Sequence, residues 1–218
     1  MLKKELPLQH NYRAPKEGVD MAPAIILLHG FGSDENDLFS FASELPETHH
    51  IISLKAPIPM QPYGNAWYNI YFDNSDGKFS DTEQAIASRD LISNCIDAVV
   101  NVYNANPKEI TLLGFSQGTI LSFAVALSYP EKVKNVIGLS GYINEDILKE
   151  GYSENDFSSL NVYTSHGSVD QVIPVQWARK TQPFLKALNI PCEYSEFPVG
   201  HGVAPQNFDE LKEWLLKH

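Results

Sequence analysis

The chain has 218 residues, and its 16 Lys and Arg against 27 Asp and Glu give a formal charge of −11. So acidic a balance excludes nucleic acid as an expected partner, because phosphate binding needs a Lys/Arg surface. No stretch approaches the roughly 20 apolar residues of a membrane span, and Met1–Pro7 has two lysines with no apolar run behind them, so neither membrane insertion nor a secretory signal is expected.

In chain order, Ala24-Ile25-Ile26-Leu27-Leu28 is a continuous apolar run, as expected for a strand buried on both faces. Ile51–Leu54, Glu109–Leu113, Val133–Leu139, Asn161–Thr164 and Cys192–Phe197 read as further strands. Helical patterns fall between them. Leu91, Ile92, Cys95, Ile96 and Val99 share one face of a 3.6-residue period. Gln117–Tyr129 ends at Pro130, Val175–Leu188 reads as one helix, and Phe208, Leu211, Trp214 and Leu215 mark the last. Strands alternating with helices predict one α/β domain over residues 1–218, a largely parallel sheet covered on both faces. Two stretches read as irregular: Ala56–Ser88, with Pro57, Pro59 and Pro62 beside Tyr63, Trp67, Tyr68, Tyr71 and Phe72, and Gly141–Leu160. The aromatics of the first either wall an apolar pocket or cover a sheet edge. Cys95 and Cys192 fall in a helix and a strand pattern, which predicts free thiols and a reducing cytoplasm.

Gly114-Phe115-Ser116-Gln117-Gly118 has the form G-x-S-x-G between a strand and a helix, the setting of a nucleophile elbow. The flanking glycines allow strand and helix backbones to approach closely, and the helix start turns free N–H groups toward the serine. A serine hydroxyl needs a base to take its proton and a carboxylate to orient that base. In this strand–turn–helix arrangement the partners follow the serine as acid and then histidine, leaving His166, His201 and His218. His218 is the chain end, and no strand-end carboxylate lies between Ser116 and His166. His201, in a glycine-flanked loop before the last helix, is the expected base. Asp170, just past a strand, is the expected acid; Asp146 and Asp156 sit in the polar loop, and the competing reading of Asp170 is a helix cap ahead of Pro174. The oxyanion donors are expected at the backbone N–H of Gln117 and of Phe31, with Gly30 and Gly32 letting that loop approach the substrate. His29 is then a structural hydrogen-bonding residue. No H-E-x-x-H, C-x-x-C or G-x-G-x-x-G occurs, so no metal or cofactor is expected, and the pair His49-His50 reads as solvated.

Leu28-His29-Gly30-Phe31-Gly32, Ala66-Trp67-Tyr68, the G-x-S-x-G segment, His166-Gly167-Ser168-Val169-Asp170 and Gly200-His201 come in order. With them the chain resembles the phospholipase/carboxylesterase family of α/β-hydrolases, which includes bacterial carboxylesterases and eukaryotic acyl-protein thioesterases. The resemblance implies an α/β-hydrolase fold with little or no cap domain, no cofactor and cleavage of short- to medium-chain acyl esters or thioesters. It also implies a Trp67 that lines or supports the acyl pocket, and it admits a homodimer. Two departures stand out: Thr119 where the family often has a second glycine, and Gly32-Ser33-Asp34 where the thioesterase branch tends to place Asp directly after the glycine. Together with the aromatic loop, the second points to the bacterial carboxylesterase branch rather than to depalmitoylation. Thioesterase, lysophospholipase, lactonase or peptidase activity on the same triad, or a non-catalytic scaffold on the same fold, are the alternatives.

Overall fold

The computed structural model describes residues 5–16, 20–73 and 77–218. Seven strands form the main sheet: β1 (His10–Arg13), β2 (Ala24–Leu28), β3 (His50–Leu54), β8 (Ile110–Phe115), β9 (Asn135–Leu139), β10 (Asn161–Gly167) and β11 (Cys192–Phe197). Their spatial order is β1-β3-β2-β8-β9-β10-β11. All neighbours are parallel except β1, which runs antiparallel to β3. This is the α/β-hydrolase arrangement, with no cap over the sheet among the described residues.

Between the early strands the chain makes two small hairpins, β4 (Ile58–Pro59) with β5 (Asn65–Ala66) and β6 (Ile70–Asp73) with β7 (Gly77–Ser80). The helices are α1 (Thr82–Tyr103), α2 (Gln117–Ser128), α3 (Val175–Ala178), α4 (Thr181–Ala187) and α5 (Pro205–Leu215). Side-chain alternation along β2 sorts the core. Ile26 and Leu28 face α1 and α2 with Ile92, Ile96, Leu121 and Val125, whereas Ile25 and Leu27 face α5 with Leu211, Trp214 and Leu38. Every residue of α2 is buried, so this helix reads apolar all round rather than amphipathic.

Three sequence expectations are corrected. The stretch 56–88 is not a loop throughout: it holds the two hairpins, and Asp81 caps α1 by accepting a hydrogen bond from Gln84 N at 3.0 Å, which starts the helix at Thr82. The expected helix Val175–Leu188 breaks in two after Ala178. Pro183 explains the break, since its ring and missing N–H cannot be accommodated against the carbonyl of Arg179 in a continuous helix. Finally, His50 is not solvated. It is buried, stacks on Tyr12 and bonds its hydroxyl at 2.9 Å.

The β1 strand has no apolar run, so periodicity gives no sign of it. Its Arg13 guanidinium instead donates to the carbonyls of Ala42, Leu45, Pro46 and His49, fixing the segment that leads into β3. Burial lowers the basicity of His29 and His50; burial and then the nearby Arg13 charge bring His49 down to about 4. A histidine whose folded pKa lies below its unfolded value of 6.5 stabilises the fold above that value, and this contribution is lost as the pH falls toward the folded pKa. The urea midpoint is therefore expected to fall on acidification from pH 7 to pH 5, measured by circular dichroism; a flat profile would contradict the burial of these three rings.

Candidate active site

Ser116 sits on the turn between β8 and α2 with φ 53° and ψ −115°, a left-handed conformation that costs a non-glycine residue on the order of 1–3 kcal/mol. Two close approaches hold the turn. A Cβ on Gly118 would lie 1.9 Å from Leu28 O, and one on Gly114 would lie 2.5 Å from the Gly118 carbonyl. Only glycine permits β2, β8 and α2 to meet here. Thr119, the departure from the family pattern, is fully buried, and its hydroxyl donates to Gly114 O and Leu139 O, both at 2.7 Å. Its methyl occupies the space that Gly138 and Gly141 leave open.

His201 reaches the serine from the loop between β11 and α5. Its Nε2 is 2.9 Å from Ser116 Oγ and its Nδ1 2.7 Å from Asp170 Oδ2. The loop crosses the end of β10 at Gly167, where a Cβ would lie 2.1 Å from Gly200 O. Asp170 lies three residues past the end of β10, and its Oδ1 accepts the backbone N–H groups of Val172 (2.7 Å) and Ile173 (3.0 Å). Asp170 thus partners His201 while closing a turn on its own backbone; the helix-cap reading is not met, since α3 starts at Val175 with Pro174 at its N-cap and no side-chain cap. Burial alone would push this carboxyl up. The hydrogen bond from His201 and those from the Ile173 and Val172 amides outweigh it and hold the group below the usual carboxylate range. Asp146 and Asp156 lie exposed on the far loop.

His166 is completely buried: its Nε2 lies 2.9 Å from Ile173 O and 3.3 Å from Asp170 Oδ2. It braces the loop that carries Asp170. His29 is also structural. One ring nitrogen pairs with Gly30 O at 2.7 Å and the other accepts the Ala56 N–H at 3.1 Å.

The His29–Ser33 loop is fastened to β5 by Gly32 N to Asn65 O and by Asn65 N to Ser33 O. Gly32 has φ +78°, which turns the chain so that Phe31 lies at the pocket. Gly30 packs against the Phe115 ring and Ser116 Cβ. Among the described residues, the backbone N–H groups of Phe31 and Gln117 donate to no protein acceptor. The Gln117 side chain bridges the next loop, accepting from Trp67 N and donating to Tyr68 O, both at 2.8 Å.

A cavity of about 190 Å³ opens on Ser116 and His201, walled by Phe31, Tyr68, Ile70, Ile120, Tyr142, Val172, Ile173 and Trp177. Trp67 is not part of this wall. It is fully buried, donating from Nε1 to His29 O at 2.9 Å, so it supports the pocket from behind, and its neighbour Tyr68 reaches the cavity. Of the missed wall residues, Ile120 lies one helical turn after Ser116, and Val172 and Ile173 lie two and three residues after Asp170; both could have been found from their spacing to the site. Trp177 gave no such signal. Among the described residues no cluster of three His, Cys, Asp or Glu is placed to hold a metal ion.

The sequence pattern of the Phospholipase/Carboxylesterase family matches residues 14–218. The chain belongs to this family. It is similar to a protein of Arabidopsis thaliana named probable carboxylesterase SOBER1-like, 27% identical over 133 residues; that match covers 56% of this chain and about half of the plant protein (51%). Acyl-protein thioesterase 1 of Mycosarcoma maydis is 24% identical over 225 residues, covering 93% of this chain and 94% of the fungal one. Among solved structures, the Bacillus cereus carboxylesterase superposes with a TM-score of 0.84 at 17% identity, over 99% of this chain and 96% of the other. The protein is thus a hydrolase of the carboxylesterase and thioesterase family.

Proposed function

We propose that the protein cleaves short- to medium-chain carboxylic esters through an acyl-enzyme on Ser116. The observation that carries this reading is the unbroken path Ser116 Oγ–His201–Asp170 at the floor of a largely apolar cavity. His201 Nε2 takes the Ser116 proton as Oγ bonds to the acyl carbon, and Asp170 holds Nδ1–H and stabilises the imidazolium. The amides of Phe31 and Gln117 receive the oxyanion. His201 then returns the proton to the departing alcohol oxygen as its bond to the acyl carbon breaks. Water then enters: His201 takes its proton as the water oxygen bonds to the acyl carbon, and passes that proton to Ser116 Oγ as the Oγ–acyl bond breaks and the acid leaves. A cavity of about 190 Å³ lies below the roughly 300–1,000 Å³ of drug-sized ligand sites, which supports a compact acyl group. The unpaired Cys95 and Cys192 support the reading of a reducing compartment.

A fluorophosphonate probe is expected to label the purified protein on the tryptic peptide containing Ser116, and Ser116→Ala to abolish the adduct by mass spectrometry. Labelling that persists in the variant would sink the assignment. The likeness to an acyl-protein thioesterase keeps a second reading, with a thiol as leaving group. Rates on matched oxygen and sulfur esters distinguish the two.

A further inference from the structure

A second cavity of about 310 Å³ lies beside the one over Ser116, and both are lined by Tyr142 and Trp177. The two rings meet edge to face, centroids 5.1 Å apart at 69°, so the pair stands as a wall between the two spaces. On the far side the lining is Ile143, Glu145, Lys180, Thr181 and Phe184. Phe184 forms its outer wall, stacked against Tyr152. We propose that the Tyr142–Trp177 pair is a partition that sets the length of alkyl chain the site accepts, and that the second chamber takes the distal methylenes of longer esters once the partition is opened. This rests on the esterase reading given above.

Three features favour an alkyl chain as the occupant. The chamber is separated from the space over Ser116 only by the Tyr142 and Trp177 side chains, which line both. Tyr142, Ile143, Trp177 and Phe184 give its lining a mainly apolar surface, beside Glu145, Lys180 and Thr181. And the smaller space is too short for a long chain, whereas the two together fall in the range of ordinary ligand sites. The partition is also detachable from the fold. Trp177 is 44% exposed, while α3 is anchored by the buried Val175 and Ala178 on either side of it. Its indole can be removed without emptying the core.

The test compares kcat/KM on 4-nitrophenyl esters with acyl chains from two to twelve carbons, and in parallel on acetates of alcohols of the same lengths. Trp177→Ala is expected to raise the ratio of the ten-carbon to the four-carbon substrate about tenfold or more, since a few newly buried methylenes each multiply the affinity. A gain in the acyl series assigns the chamber to the acid side of the ester, and a gain in the alcohol series assigns it to the leaving group. Adding Phe184→Trp refills the chamber and is expected to return the ratio to the parent value; a gain that survives it overturns the proposal.

Calorimetric titration of decanoate and butyrate into Ser116→Ala and Ser116→Ala/Trp177→Ala gives a readout free of turnover. Decanoate binding about tenfold tighter in the double variant, with no ester hydrolysed by the parent, would keep the chamber and end the esterase reading. Unchanged ratios in both ester series, with unchanged decanoate binding, would overturn the partition while leaving the esterase reading intact.

Discussion

Asp170→Asn is expected to lower kcat about 10⁴-fold with little change in KM, the size of effect seen when a triad aspartate becomes asparagine. The hydrogen bonds dictate which way the new amide turns. Oδ1 accepts two backbone N–H groups, from Val172 and Ile173, so the asparagine oxygen stays there and its NH₂ takes the place of Oδ2. That NH₂ then faces His201 Nδ1 at a position 2.7 Å away. Nδ1 must become an acceptor, the ring proton moves to Nε2, and the histidine presents a donor to Ser116 where catalysis needs a base. His166 suffers a similar conflict, because its Nε2 points at the same Oδ2 from 3.3 Å and also serves Ile173 O. Steady-state kinetics on a short ester, with the fluorophosphonate labelling rate alongside, measure the effect. A variant within tenfold of the parent would remove Asp170 from the mechanism.

Gly118→Ala is expected to be the most damaging single methyl group in the chain. Its Cβ would lie 1.9 Å from Leu28 O and 2.6 Å from Leu28 C, and these are backbone atoms of a fully buried central strand. No rotamer change relieves such a contact; either α2 or β2 must move. Overpacking of this kind costs about 3 kcal/mol or more, which for a domain of this size corresponds to a melting temperature lower by roughly 6–12 °C. Because α2 carries the Gln117 amide and β2 leads to the Phe31 amide, the folded fraction is also expected to label slowly with fluorophosphonate. Calorimetry and labelling kinetics on the soluble protein check both parts, and an unchanged melting temperature would refute the close approach.

The sheet was legible in the sequence because its strands are buried on both faces, and continuous apolar runs such as Ala24–Leu28 signal that directly. The Ser116, Asp170 and His201 positions were legible because the order of the chain and the ends of the strands restrict where each can stand. The β1 strand escaped because an edge strand held by an arginine among carbonyls needs no apolar pattern. The early start of α1 escaped because the cap at Asp81 carries that information, whereas the apolar face shows strongly only from Leu91. The pocket wall was the least legible part. The resemblance left open whether Trp67 lines or supports the pocket; its indole is spent on His29 O, so it supports, and the cavity is shaped by Trp177 from more than a hundred residues later. Contacts between distant segments leave no local period to read.

The Gln117 bridge has a consequence for how such an enzyme can diverge. The residue whose amide we propose receives the oxyanion also clamps Trp67 and Tyr68 through its side chain. One wall of the pocket is therefore tied to the catalytic turn, and a substitution on that side is inherited by the chemistry. On the opposite wall Val172 and Ile173 are tied to the triad through Asp170, but the Trp177 indole, on its own short helix, makes no hydrogen bond to the catalytic turn among the described residues. Drift in substrate range is therefore channelled to that side: a lineage can trade one ester for another by changing α3 while the reaction itself is left untouched.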